Sequence, residues 1–136
     1  MSIISIRAAL ETKLNTITPA LSTAWENVPF TPVAGTPYQR VYLMTATPAN
    51  PTMGDGYYRE QGIFQVSLFY PLQTGTLTAA TRANLIQTTF KRGTSMTAGG
   101  ITVIVGNTPE ISQGRVDGDD RFHIPVKIQW FAGINT

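Results

Sequence analysis

Apolar residues recur along this chain in two rhythms, and the changes of rhythm mark its elements. Ile3, Ile6, Leu10, Leu14 and Ile17 fall three or four residues apart, which is the spacing of one face of an α-helix. Ala9 widens the stripe, Ser2 stands where a capping hydroxyl belongs, and Pro19 closes the pattern. A second stripe, Ala79, Ala83, Ile86 and Phe90, predicts a helix over 78–90. Lys91 and Arg92 complement the negative end of its dipole, and Gly93 suits a left-handed C′ position.

The remaining pattern alternates. "STAWENVPF" reads as a strand, and Pro29, Pro32 and Pro37 punctuate the loop after it. "YQRVYLMTA" places Val41, Leu43 and Thr45 on one face and Tyr38, Arg40, Tyr42 and Met44 on the other. In "YYREQGIFQVSLFYP", Phe64, Val66, Leu68 and Tyr70 share a face, with Gln65, Ser67 and Phe69 opposite. "GITVIVG" adds a strand. "RFHIPVKIQWF" is the last, with Phe122, Ile124, Val126, Ile128 and Trp130 on one side.

The order α-β-β-β-α-β-β, with strands in consecutive groups, predicts an α+β fold: a mostly antiparallel sheet with two helices packed on one face. No repeat or linker divides residues 1–136, so one domain is expected. Pro125 cannot donate to a ladder, which predicts an edge position or a bulge for the last strand. "TPANPTMGDG", residues 47–56, has no periodicity and reads as an exposed, mobile loop.

Composition changes the picture in one respect. Only 13% of the 136 residues are charged, against roughly 25% in an ordinary soluble domain. The polar surface is therefore largely Thr, Ser, Asn and Gln, which is cheaper to desolvate than ions and fits an assembly subunit. A net charge of +2 without a basic stripe gives no support to sequence-specific nucleic-acid binding. The chain has no cysteine, so disulfides and thiolate sites are excluded. No apolar run approaches the ~20 residues of a membrane span, and the N-terminus lacks a secretory pattern. Function in the cytoplasm, or in something assembled there, is expected.

The candidate chemistry is thin. Asp117, Asp119 and Asp120 crowd "DGDD" just before the single histidine, His123. The run resembles part of a calcium loop but lacks the closing bidentate Glu. A turn, with Gly118 free to take positive φ, accounts for it better. His123 has no second histidine with which to share a metal, no G-x-S-x-G elbow is present, and it reads as a surface or interface residue. "GTSMTAGG" lacks the Lys-Ser/Thr of a P-loop and precedes a strand. Glu11, Glu26, Glu60 and Glu110 are scattered singly. No catalytic, cofactor or metal residue is assigned, and an enzyme is not expected.

The phrases "RAALETKLNTI", "WENVPFTP", "YQRVYLMTATPANP", "YYREQGIFQVSLFYP", "RANLIQTTFKRGT" and "DGDDRFHIPVKIQWFA" together resemble the tail terminator, or tail completion, proteins of long-tailed bacteriophages, prophage-encoded versions included. The resemblance spans nearly the whole chain. It implies a structural protein of the virion tail, made in the host cytoplasm. It also implies a ring, typically hexameric, that caps the tail tube, stops its growth and offers a face for head joining. The implied partners are further copies of the chain, the tail tube protein and the head–tail connector, with no membrane and no cofactor. Alternatives are a head–tail joining protein, a minor tail component or, from another class, a small metal-dependent hydrolase. Candidate interface residues are Pro48 and Met53 in the loop, Tyr57, Tyr58 and Arg59 where the long strand begins, and Arg115 with Asp117 for polar complementarity. The ring contact is expected to rest mainly on side-chain packing.

Overall fold

A computed structural model describes residues 2–17, 21–26, 28–32, 35–51, 54, 56–71, 77–117 and 121–135. Helix α1 is Ser2–Leu14 and α2 is Leu77–Thr89. The strands are β1 (Ser22–Ala24), β2 (Tyr38–Thr45), β3 (Tyr57–Pro71), β4 (Ser95–Ala98), β5 (Ile101–Val105), β6 (Glu110–Ile111), β7 (Arg115–Asp117) and β8 (Arg121–Asn135). They form one sheet in the order β1-β2-β3-β8-β5-β4, with β6 and β7 also paired to β8. Every pairing is antiparallel except β1 with β2. The fold is α+β, as the alternation of the long strands predicts.

The β3–β8 ladder is the spine of the molecule. All fifteen residues of β3 pair with β8, from Tyr57 opposite Asn135 to Pro71 opposite Arg121. The period of two then sorts the side chains. Phe64, Val66 and Leu68 share a face with Ile124, Val126, Ile128 and Trp130, and all are buried. The helices cover this face. Ile6, Leu10 and Leu14 of α1, with Ala79, Ala83 and Ile86 of α2, join the same core cluster. Ile17 and Phe90, just past the helix ends, complete it. Burying each large aliphatic or phenyl side chain contributes about 1.5–3 kcal/mol before the cost of ordering the chain.

Several expectations change. The terminal strand is central, not an edge: β3 flanks it on one side, and β7, β6 and β5 follow one another along the other. Pro125 is accommodated because the second flank is interrupted there, between Ile111 and Arg115. Its carbonyl accepts from Ser112 N–H at 3.0 Å. In an antiparallel strand a residue's N–H and C=O project to the same side, so the missing donor faces this break. The edges of the sheet order are instead β1 and β4.

"STAWENVPF" is a strand only over Ser22–Ala24. Beyond it, the carboxylate of Glu26 accepts from Leu43 N–H at 2.6 Å and takes over the edge of β2. Gly93 has φ 88° but does not cap α2, because its N–H bonds the carbonyl of Val105 at 2.9 Å and starts the β4–β5 hairpin. Ser2's side chain and Pro19 lie outside the described residues, so their capping and stop roles are expectations only.

Candidate assembly surfaces

The sheet face away from the helices carries the residues of interest. At one end an aromatic row crosses it. Phe30 meets Tyr38 at 5.2 Å between ring centroids, Tyr38 stacks on Phe69 at 4.9 Å, and Phe69 stacks on His123 at 4.6 Å with an interplanar angle of 3°. The register causes this, since Tyr38, Phe69 and His123 are direct cross-strand partners. Arg121 lies 5.0 Å from the Tyr38 ring and donates to the Thr36 carbonyl, which draws the loop before β2 over the row. Arg40 adds a second cation at 5.6 Å from the same ring. His123 is therefore not a surface histidine: it is only 9% exposed and held flat against phenylalanine.

At the other end lies the β2–β3 connection. The chain after β2 does not leave the sheet at once. Ala46 N–H bonds the Gln61 carbonyl, and Ala49 and Arg59 exchange backbone hydrogen bonds at 2.9 and 2.8 Å. Thr45 opposes Gly62 while Ala49 opposes Arg59, so the first limb holds one extra residue, a β-bulge. This part of the expected mobile loop is pinned to β3. Pro48 is half-buried within it. Met53 lies outside the described residues. Arg59 extends over the Phe131 ring at 5.3 Å with half-buried Tyr57 on the same face, while Tyr58, also half-buried, falls on the helix-side face opposite Ile134.

Arg115 and Asp117 sit far from that group. Arg115 pairs with His123, and His123 with Phe69, ten ladder positions from Arg59. At the rise of a β-strand this is about 34 Å. The structure therefore keeps Tyr57, Arg59 and Pro48 at one end, with Tyr58 there on the other face, and sets Arg115 apart from them. Asp117 is the last residue of β7, opposite Arg121. Its side chain, with Gly118, Asp119 and Asp120, lies outside the described residues.

Other titratable groups serve structure. Arg7 bridges Glu11 at 3.5 Å and Glu26 at 3.0 Å. Burial raises the Glu11 pKa above the usual carboxylate range, and the Arg7 charge and hydrogen bond only partly counter it. Burial likewise pushes Tyr70 up and Arg82 down, each opposed by the other's proximity. Among the described residues no group of three or more His, Asp or Glu could hold a metal. No helix among them is long and apolar enough to cross a membrane.

Two features here escape a reading of composition: the aromatic row, and a recess between β8 and the β6–β7 segment lined by Gln65, Arg115, His123 and Lys127. The signal for both was the alternation in β8. It puts His123, Pro125 and Lys127 on the face opposite Phe122, Ile124 and Val126. The strand pairing of "GRVD" was needed to bring Arg115 there.

The sheet is thus covered by helices on one face and carries a long polar and aromatic face on the other. The chain matches the family described as phage tail terminator protein across residues 5–130, and it belongs to that family. It is similar to a solved structure at 31% sequence identity, covering 96% of this chain and 95% of that one, with a TM-score of 0.77. No curated protein matches it. Membership places the chain among structural components of the phage virion tail.

Proposed function

We propose that this chain closes into a homo-oligomeric ring, a hexamer in the pattern of its family, on the end of the tail tube. The ring stops addition of further tube protein and presents its free face to the head–tail connector. The protein acts by binding and has no catalytic step.

The observation that supports this reading most is the separation of two unlike surface groups on one rigid ladder. Tyr57, Tyr58 and Arg59 lie at one end and Arg115 at the other. A head-to-tail contact uses two different patches of one subunit, and it closes into a ring when its rotation is right. Unlike groups at opposite ends of a stiff element suit such a contact. The sparse charge of the chain lowers the cost of burying both.

Light scattering over a concentration series, with and without purified tail tubes, tests the ring. A monomer when dilute that becomes a ring-sized species on tubes is expected. A subunit that stays monomeric with tubes present contradicts the proposal.

A further inference from the structure

We infer that the break in the sheet beside Pro125 is an oxyanion site, and that its occupant is a carboxylate side chain on an acidic segment of a docking tail protein. Only the owner of that carboxylate rests on the function proposed above; the site itself rests on geometry.

The break has a physical origin. β6 pairs Glu110 and Ile111 with Lys127 and Val126, and β7 pairs Arg115 with His123. Residues 112–114 cross the interval, where Ser112 N–H reaches the Pro125 carbonyl at 3.0 Å. Proline offers no N–H for a return bond. The sheet therefore opens into a recess of about 350 Å³ on the face away from the helices.

The lining is one-sided in its chemistry. Arg115 and Lys127 supply cations, Gln65 and Gln113 amides, and Ser112 a hydroxyl, with the His123 ring in the wall. No described carboxylate lines it. The imidazole in its wall is held flat by its stack on Phe69. Guanidinium and ammonium groups aimed at one oxyanion make charge-assisted hydrogen bonds, about twice as strong as neutral ones.

Charge count favours a carboxylate over a nucleic-acid backbone. Glu110 stands across from Lys127 and takes the Ser112 hydroxyl at 3.4 Å, so it offsets one of the two cations at the rim. What remains suits a single negative group. A duplex needs a stripe of cations following successive phosphates, and the whole chain carries only +2.

The test is an amide-resolved NMR titration of the full chain at pH 7. The probes are sodium acetate, the blocked peptide acetyl-Gly-Glu-Glu-Gly-amide and a short DNA duplex. Shifts confined to residues 112–115 and 123–127 are expected with acetate and with the peptide, the two competing. Lys127→Met should weaken the peptide about tenfold. Adding Arg115→Met should abolish the shifts, while Arg59→Met, at the far end of the ladder, leaves them unchanged. Circular dichroism verifies folding, and the wild-type titration stands without any variant. Absent shifts, shifts elsewhere, or peptide binding that survives the double substitution overturn the site. DNA binding at these residues without peptide binding also overturns it and marks a nucleic-acid face instead. Because the titration uses no tails, the site can stand if the terminator role fails, and the reverse.

Discussion

Gly62 stands directly across the β3–β8 ladder from Trp130, and a Cβ at position 62 would come within 3.0 Å of the indole ring. It would come closer still to the backbone carbonyl oxygen of Met44. Neither neighbour can yield cheaply: the indole is buried in the core, and the carbonyl belongs to the paired strand. Glycine is thus required here for close approach, not for a special backbone angle.

Gly62→Ala should therefore destabilise the fold by about 2–3 kcal/mol, the upper part of the range of about 1–3 kcal/mol for overpacking. Gly133→Ala is the control. Its Cβ would meet the hydroxyl end of Tyr57, a flexible side chain that can swing away, so it should cost less than about 1 kcal/mol. Urea unfolding of both variants measures the contrast, and equal losses would refute it.

Glu11 gives a prediction in pH. Its folded pKa is raised, mainly by burial. The fold thus favours the neutral acid relative to the unfolded chain. The contribution of Glu11 is most favourable below the unfolded pKa of about 4.3, and it declines as pH rises through the folded value. Glu11→Gln should be neutral to stabilising at pH 7, since Arg7 keeps Glu26 at 3.0 Å. Any gain should vanish near pH 4. Thermal melts at both pH values check the sign; a large loss at pH 7 would mean that the ion pair dominates.

For the acidic run at residues 117–120 we expect no obligatory metal. Melting temperature should be the same with and without EDTA, in the parent and in Asp119→Asn. A drop of several degrees in the parent alone would show that a cation holds residues 117–120 together.

Shortening the β2–β3 connection is expected to impair assembly while sparing the fold. Replacing residues 50–56 with a short Gly-containing turn keeps the Ala49–Arg59 backbone pair, so the melting temperature should hold within a few degrees. Tail assembly should nevertheless suffer, because Met53 and its neighbours would be gone. Unfolding of the shortened protein would show instead that the loop belongs to the core.

What the sequence disclosed, and what it hid, follows from how far each pattern repeats. Both helices and the two fifteen-residue strands repeat an apolar period several times, and their core faces were legible down to Phe64, Val66, Ile128 and Trp130. Strands of two to four residues, such as β6, β7 and β4, hold too few alternations to register. The parallel pairing of Ser22–Ala24 is non-local and leaves no local mark. Pro125 misled for a definite reason. A proline excludes one ladder bond, and an interrupted neighbour satisfies that exclusion as well as a free edge does. Of the candidate interface residues, Tyr57, Tyr58 and Arg59 are neighbours by adjacency alone, with Tyr58 turned to the other face of the sheet. The distance from Arg115 to that group depended on pairing that no single segment encodes.

If this chain ends tail growth, tail length depends on its presence. Electron microscopy of particles made in a phage lacking this chain, with and without the chain supplied in trans, gives the length distribution. Overlong tubes of variable length are expected without the chain, and uniform tails when it is restored. Tails of normal, uniform length in its absence would contradict that role.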